Sequence, residues 1–467
     1  MKRIDIHPRL RDFAAVFTGS GKQAYLAGGA VRDLFLGKKA QDWDLATDAK
    51  PEEVIAMFRN RKPRCRVIPT GIKHGTVTVH FKGEEIEVTT FRTESDYRDG
   101  RHPEKVEFAS SIEEDLSRRD FTMNAVALKL PRGEIVDPFG GEKDISARLI
   151  RCVGNPAERF GEDGLRPLRA IRFASQLDFS IDEATLAAIP GALATCSAVA
   201  MERIRDEIDK IVMHGGKPSV SFLLMEKTGL LELILPELAG CRNIEQKGYH
   251  RFDVLDHSLL ALDYAAANGF PHRVRLAALF HDLGKPLTRN TGENGVWTFY
   301  RHEEESSRLA EKILTRLRYP GTIVEETVRL IAEHMFHYSD IWTDAAVRRF
   351  IVRVGETYLE DLFKLRMADS FGMTGIAAPA TALAPLLSRI DATLAAGRAF
   401  SLKDLAIKGK DLMEAGISPG KHMGIILNEL LETVLDDPEC NTRETLLDIA
   451  LKINRRYEGR EPVAGKR

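Results

Sequence analysis

Two β-branched runs, Val77-Thr78-Val79-His80-Phe81 and Ile86-Glu87-Val88-Thr89-Thr90-Phe91, alternate apolar with polar side chains. That is the period of a half-buried strand. Lys82-Gly83-Glu84-Glu85 between them has turn chemistry, so the pair predicts a hairpin. From Thr93 to Pro103 the pattern gives way to Glu94-Ser95-Asp96-Tyr97-Arg98-Asp99-Gly100-Arg101-His102, which predicts a mobile polar loop. Asp137-Pro138-Phe139-Gly140-Gly141 closes this region with a turn. Beyond residue 150 apolar residues recur at helical spacing instead: Leu165-Leu168-Ile171, Ile204-Ile208-Ile211, Leu276-Leu279-Phe280 and Ile426-Leu427-Leu430-Leu431. Pro379 and Pro385 mark the start of a helix in the alanine-rich stretch 377–396. The pattern as a whole predicts an α/β head followed by a long all-helical remainder.

Composition narrows the class. A chain of 467 residues is too long for one ordinary core and predicts three or four structural units. With 43% apolar and 29% charged residues it reads as a soluble globular protein. No apolar run is long enough to span a bilayer, and Met1-Lys2-Arg3-Ile4-Asp5-Ile6-His7-Pro8 has no signal-peptide core. Five scattered cysteines without metal-ligand spacing point to a reducing, cytoplasmic setting. The net charge of −2 excludes a surface that is basic throughout, so any RNA contact must use local patches. Two such patches are Arg59, Arg61, Lys62, Arg64 and Arg66, and the helical row Arg166, Arg169 and Arg172.

Chemistry enters with Gln41-Asp42-Trp43-Asp44-Leu45. On a strand, Asp42 and Asp44 project from the same face, because side chains repeat every second residue. Two carboxylates so placed can hold hard divalent cations such as Mg2+, which activate a hydroxyl and neutralise a triphosphate. Upstream, Gly28-Gly29 lets backbone approach phosphate closely and Arg32 can add a charged fork. Gly28-Gly29-x-Val31-Arg32-Asp33 with Asp42-x-Asp44 resembles the DNA polymerase beta superfamily, in its class II tRNA nucleotidyltransferase and bacterial poly(A) polymerase branch. The resemblance implies an α/β polymerase-beta-like nucleotidyltransferase head followed by a long all-α neck, body and tail. It also implies a third catalytic carboxylate at Glu87.

Later blocks extend the resemblance in chain order. Arg118-Arg119-Asp120-Phe121-Thr122-Met123-Asn124-Ala125 is similar to a ribose-recognition block, which implies nucleotide contacts for Arg119, Asp120 and Asn124. Glu162-Asp163-Gly164-Leu165-Arg166-Pro167-Leu168-Arg169 is similar to a base-selecting helix, supported by a block like Met201-Glu202-Arg203-Ile204-Arg205-Asp206-Glu207-Ile208. Asp163 and Arg166, three apart, are expected on one helical face, and the helix must begin near Asp163 to tolerate Pro167. An Asp that accepts and an Arg that donates match the amino group and ring acceptor of cytosine or adenine. Guanine and uracil present the opposite polarity. Glu162 is expected to orient Arg166, and Arg169 to reach phosphate. Pro69-Thr70-Gly71-Ile72-Lys73-His74-Gly75-Thr76-Val77, Gly409-Lys410-Asp411-Leu412-Met413 and Ser418-Pro419-Gly420 resemble segments of the tRNA enzymes. The expected partners are therefore tRNA, CTP and ATP, with no membrane and no protein partner. In this family a full-length segment like 93–103 goes with the switch from C to A.

The helical region holds a second constellation: His257, His281-Asp282 in Phe280-His281-Asp282-Leu283-Gly284-Lys285-Pro286, His302, His334 and Asp369. It resembles the HD phosphohydrolase superfamily, which implies a divalent metal (Mg2+, Mn2+ or a transition metal) able to activate water against a phosphoester. His337 is an alternative to His334. The expected domains are a nucleotidyltransferase head at 1–150, a helical neck and body at 151–245, an HD domain at 246–375 and a tRNA-anchoring helical region at 376–467. The leading expectation is template-independent addition of C and A to tRNA 3′ ends. Its alternatives are a poly(A) polymerase, and a phosphohydrolase whose head is vestigial.

Overall fold

The computed structural model describes residues 4–38, 43–59, 65–97, 103–246, 250–292, 297–339, 341–377, 379–396 and 401–458. The chain folds into two compact units. One comprises Met1–Arg242 with Ala266–Asn268 and Lys312–Pro320; the other comprises Asn243–Ala265, Gly269–Glu311 and Gly321–Arg467.

The first unit opens with α1 (Pro8–Gly19), β1 (Ala24–Ala27), α2 (Gly29–Phe35), β2 (Trp43–Thr47) and α3 (Pro51–Arg59). Strands β3 (Arg66–Gly71), β4 (Thr76–Phe81) and β5 (Glu84–Thr90) follow. All four residues of β1 are buried, so a central strand reads as an apolar run without alternation. In β5, by contrast, Ile86, Val88 and Thr90 are buried while Glu87 faces solvent. The β4–β5 hairpin turns on Lys82-Gly83 alone, both at positive φ (50° and 87°), the geometry that two-residue hairpins favour. Glu84 and Glu85, read from sequence as turn, are already strand.

The segment expected to be a loop is different. Arg92–Tyr97 (β6) and Pro103–Phe108 (β7) pair antiparallel as a separate two-stranded sheet, with Arg92 opposite Phe108 and Tyr97 opposite Pro103. Residues 98–102 lie outside the described residues. Arg92-Thr93-Glu94-Ser95-Asp96-Tyr97 has no apolar alternation, so hydrophobic patterning could not reveal a strand held by backbone pairing.

Helix α4 (Ile112–Ser117), β8 (Ala127–Lys129), β9 (Glu134–Val136) and α5 (Gly141–Ser146) complete the mixed domain. Its seven-stranded sheet runs β3-β4-β5-β2-β1-β8-β9. Strands β2 and β5 are parallel, and the other pairs are antiparallel. Asp137 ends this part as a cap, its carboxylate accepting from the amides of Gly141 and Glu142. Short helices take over: α6 (Pro156–Glu162), α7 (Arg166–Leu177), α8 (Glu183–Ala188), α9 (Leu193–Ser197) and α10 (Met201–His214), with α10 packed on α7. Helix α7 starts at Arg166 with Pro167 in its first turn, later than the expected start near Asp163.

The second unit is almost wholly helical, and its described strands are two residues each. Near its C-terminal end Leu412, Ile426, Leu430, Leu446 and Ile453 form a dry core. Arg348 donates to the carbonyls of Leu435 and Asp436, capping the helix Lys421–Asp436. Among the described residues no helix is long and apolar enough to cross a membrane.

Under the first sheet Phe13, Phe17, Phe58 and Phe81 meet with ring centroids 4.8 to 6.2 Å apart. Phe13 is fully buried, so Phe13→Ala is expected to destabilise this unit by about 3–5 kcal/mol. Denaturant unfolding followed by fluorescence should show an earlier transition for this variant.

Candidate active sites

The parallel pairing of β2 with β5 sets Asp44 opposite Glu87. Both side chains are exposed on the face away from the aromatic core. The structure thus brings these two sequence-predicted carboxylates together, and β1 lies alongside β2. Asp42 lies outside the described residues.

Gly28 leads from β1 into α2 at φ 75°, ψ −141°. That positive φ favours glycine, and a Cβ there would lie 2.7 Å from Arg119 Nη1, so the end of the Arg119 side chain would have to move aside. A Cβ on Gly29 would meet only ordinary contacts at 3.5 Å or more. Arg32, on α2, donates from Nε and Nη2 to Asp33 Oδ1 (2.9 and 2.8 Å) and from Nη1 to Asn124 Oδ1 (3.0 Å). Asn124 in turn donates to Asp120 Oδ1 (3.0 Å), and Arg169 forks onto Asp120 Oδ2 (2.8 and 2.6 Å). Burial by itself would raise the Asp120 pKa. The Arg169 charge, with hydrogen bonds from Asn124, Arg169 and the Phe121 amide, outweighs it and holds the carboxyl at about 2. Arg169, expected to reach phosphate, is therefore engaged with Asp120 here.

Three guanidinium groups surround the Phe173 ring: Arg172 at 3.9 Å, Arg32 at 5.2 Å and Arg169 at 5.6 Å. Glu207, 2% exposed, balances them through an ion pair of 2.7 Å with Arg172. Burial pushes the Arg172 pKa down to about 10 despite Glu207. In the sequence Arg172 stands out only as part of a basic row, and Glu207 has no separate role. The first basic patch is described only in part, at Arg59 and Arg66. These line an open cavity of about 570 Å³ with Ile55, Cys65 and Val67.

The base-selecting block departs from its expected geometry. Glu162 ends α6 and Asp163 follows in extended conformation (φ −139°, ψ 108°), so Asp163 and Arg166 do not share a helix face. Gly164 follows the break and lets the chain pass close to Thr195, because a Cβ there would lie 2.3 Å from the Thr195 carbonyl oxygen. Asp163 still stays beside Arg166 by capping: its Oδ1 accepts from the Leu165 amide (3.0 Å) and its carbonyl from the Arg166 amide (3.0 Å). Arg203, on α10, forks onto both Asp163 oxygens (3.1 and 2.7 Å). Arg166 Nη1 donates to Glu162 Oε2 (2.5 Å) and the Arg159 carbonyl (2.9 Å). Its Nη2 donates to the Arg118 carbonyl (2.8 Å).

In the second unit five elements converge. His257 sits on the helix Val254–Ala267, and His281 and Asp282 directly follow His272–Phe280. His302 opens His302–Arg316, His334 follows Gly321–Glu333, and Asp369 lies on Glu356–Thr374. All six are buried. His257 Nε2 lies 2.9 Å from His281 Nε2, 3.1 Å from Asp282 Oδ2 and 3.3 Å from Asp369 Oδ1. Across Asp282, His302 Nε2 and His334 Nε2 stand 3.2 and 3.9 Å from Oδ1. Asp282 is thus common to two donor triads, His257-His281-Asp282 and Asp282-His302-His334.

The outer nitrogens explain the orientation. Nδ1 of His281, His302 and His334 faces the carbonyls of Ala278, Phe299 and Ile331 at 2.9, 2.9 and 2.7 Å. Donation there leaves Nε2 as an inward lone pair, the tautomer that a metal ligand needs. Gly372 makes room, since a Cβ would lie 2.9 Å from His257 Nδ1. Burial disfavours charge on His257, but hydrogen bonds to Asp282 and Asp369 outweigh it and raise the pKa to about 9. The alternative ligand His337 is exposed whereas His334 is 1% exposed in the cluster, so His337 is set aside.

Sequence reasoning missed His250, whose ring lies 5.2 Å from that of His257 and whose buried Nδ1 has no partner among the described residues. Burial pulls its pKa down to about 4. Lys285, quoted only as motif, donates to Asp282 Oδ2 (2.6 Å) and Gln246 Oε1 (2.5 Å).

The chain is similar to known proteins along most of its length. Residues 24–151 match the poly A polymerase head domain, 178–241 a probable RNA and SrmB-binding site of polymerase A, and 249–373 the HD domain. A CCA-adding enzyme of Limosilactobacillus reuteri is 33% identical over 431 residues, covering 92% of each chain. One from Enterococcus faecalis is 32% identical over 464 residues, covering 97% of this chain and 98% of that protein. The chain belongs to the CCA-adding enzyme family. It is accordingly a nucleotidyltransferase with a mixed-sheet head, a helical body and an HD domain. The crystal structure of the Bacillus stearothermophilus CCA-adding enzyme in complex with CTP superimposes with a TM-score of 0.71 at 29% identity. That match covers 97% of this chain and 100% of the other.

The Asp120 cluster of this CCA-adding family member has a pH signature. Its pKa is lowered from 3.8 to about 2, so its stabilisation is present above about pH 4 and is lost as pH falls towards 2. The lost contribution is about 2 kcal/mol. Asp120→Asn should flatten the pH dependence of the unfolding midpoint across that window, which denaturation at stepped acidic pH would measure.

Proposed function

We propose that this chain adds C and A to the 3′ end of tRNA, with CTP and ATP as donors. The observation that carries this reading is that Asp163 and Arg166 adjoin at the start of α7, the Arg166 amide donating to the Asp163 carbonyl (3.0 Å) while Arg203 and Glu162 hold their side chains. Three of the five Arg166 N–H donors are taken by Glu162 and two carbonyls, which leaves two among the described residues. An acceptor on Asp163 beside two donors on Arg166 complements cytosine's amino group, N3 and O2. Adenine meets the acceptor and one donor. Uracil and guanine would set their ring N–H against Arg166 and a carbonyl against Asp163, and buried mismatched polar groups cost on the order of 1–3 kcal/mol each.

The residues of the head suit Mg2+. Asp44 and Glu87 are carboxylates at partnered positions on one sheet face, hard oxygen donors of the kind that ion prefers, and Asp42 would join them. When bound, the metal supplies charge neutralisation and a more acidic 3′-hydroxyl. The RNA 3′-oxygen then bonds to the α-phosphorus, the bond to the β-phosphate breaks, and pyrophosphate leaves. Gly28 keeps the phosphate approach free of a side chain, and Arg32 and Arg119 supply positive charge beside it. Asp120 and Asn124 take the ribose hydroxyls, with Arg169 released from Asp120 towards phosphate as the nucleotide enters.

In this reading residues 1–150 are the head, 151–245 the neck and body, 246–375 the HD domain and 376–467 a tRNA anchor. The HD cluster is a second centre. Its inward imidazole nitrogens and ionised Asp282 and Asp369 suit Mn2+ or a later transition metal, which would supply an activated water for phosphoester hydrolysis.

Incubating tRNAs that end at the discriminator, at C or at CC with CTP and ATP, separately and together, should give CCA ends on sequencing. Long A tracts on unrelated RNA would instead indicate a poly(A) polymerase. Asp44→Ala should reduce incorporation by at least about a thousandfold and leave phosphatase turnover intact. If Asp44→Ala keeps transferase activity, the head assignment fails. Asp282→Asn should do the reverse, losing hydrolysis and calorimetric Mn2+ binding to the HD cluster while CCA addition continues.

A further inference from the structure

The Asp163 carboxylate offers about four acceptor lobes. Among the described residues three are taken: the Leu165 amide and Arg203 Nη1 share Oδ1, and Arg203 Nη2 occupies one lobe of Oδ2. We infer that Arg203 is a specificity-determining residue, which leaves Asp163 a single acceptor direction for the exocyclic amino group of the incoming base. The inference rests on the reading that Asp163 and Arg166 select the base.

Arg203 is well placed for this. Its neighbour Ile204 is buried and α10 packs on α7, so the helix carrying Arg203 is anchored to the helix carrying Arg166. The Arg203 and Asp163 side chains are 22% and 19% exposed, so water screens the pair only in part. A bidentate fork fixes both the position and the plane of a carboxylate, whereas a single contact fixes neither. An unforked Asp163 could turn about its Cβ–Cγ bond. It would then offer a second lobe to the ring N–H of uracil or guanine, and the polarity test applied by Asp163 and Arg166 would weaken. Glu162 plays the matching part for Arg166, occupying Nη1 and so restricting which N–H groups face the base.

Single-nucleotide addition measures this directly. Wild type, Arg203→Lys, Arg203→Leu, Asp163→Asn and Arg166→Ala would each be given tRNA ending at the discriminator or at CC, with each of the four triphosphates in turn. Both Arg203 variants should lower the kcat/KM ratio of CTP over UTP, and of ATP over GTP, by roughly tenfold or more. Arg203→Lys should recover more of the overall rate than Arg203→Leu without recovering the ratio, because an ammonium cannot fork. It also keeps a cation on α10, so a changed ratio with unchanged thermal melting cannot come from unfolding. If both Arg203 variants slow all four triphosphates equally, Arg203 is a structural support and the inference is overturned. If Asp163→Asn and Arg166→Ala also keep the wild-type ratios, the base-selection reading itself fails.

Discussion

An ionised carboxylate with almost no access to water sits where the sheet of the first unit meets its helices. Asp120 is 8% exposed and accepts from Asn124, the Phe121 amide and the Arg169 fork. Removing a charge from water costs several kcal/mol, and only a full set of donors offsets it. Because those donors come from α7 and the block after α4, satisfying Asp120 also sets the distance between them. The same chain of bonds continues through Asn124 to Arg32 and Asp33, so α2 is tied to the same point. Breaking this carboxylate would therefore disturb several proposed nucleotide contacts at once.

The two candidate centres solve one problem in different ways. Each needs polar atoms aimed into a shared space, and a free side chain would lose rotamer entropy on being ordered there. In the first unit, charge partners do the aiming: Glu162 and two carbonyls hold Arg166, and Arg203 holds Asp163. In the second, backbone carbonyls three residues earlier hold the outer nitrogens of His281, His302 and His334. The first arrangement leaves a chosen few donors and acceptors for a flat base edge. The second turns lone pairs inward, which suits a cation.

Much of the architecture was legible because it depends on local periodicity. The alternation in Val77–Phe81 and Ile86–Phe91 marks a hairpin whether or not the rest of the sheet is known, and Ile204, Ile208 and Ile211 mark the buried face of α10. The strand at 92–97 was not legible, because its side chains carry no apolar period and backbone pairing with 103–108 holds it. The start of α7 was misjudged for a related reason. Gly164 and Pro167 both mark a helix boundary between Glu162 and Arg169 without saying on which side of the glycine the helix begins, and the extended Asp163, with Gly164 packed against the Thr195 carbonyl, puts the start after it.

By itself, the sequence determined which side chains could do chemistry: the carboxylates Asp42, Asp44 and Glu87, the Asp163 and Arg166 pair, and the His-Asp set of the second unit. Residue type and short spacing carry that information. Tertiary structure decided which of them meet and who holds them. The pairing of β2 with β5 sets Asp44 beside Glu87, Arg203 reaches Asp163 across 40 positions, and Arg32 reaches Asn124 across 92. His250 comes against His257 in the same way. Such partners depend on the path of the backbone between them, which no local pattern encodes, and burial then gives each contact its strength.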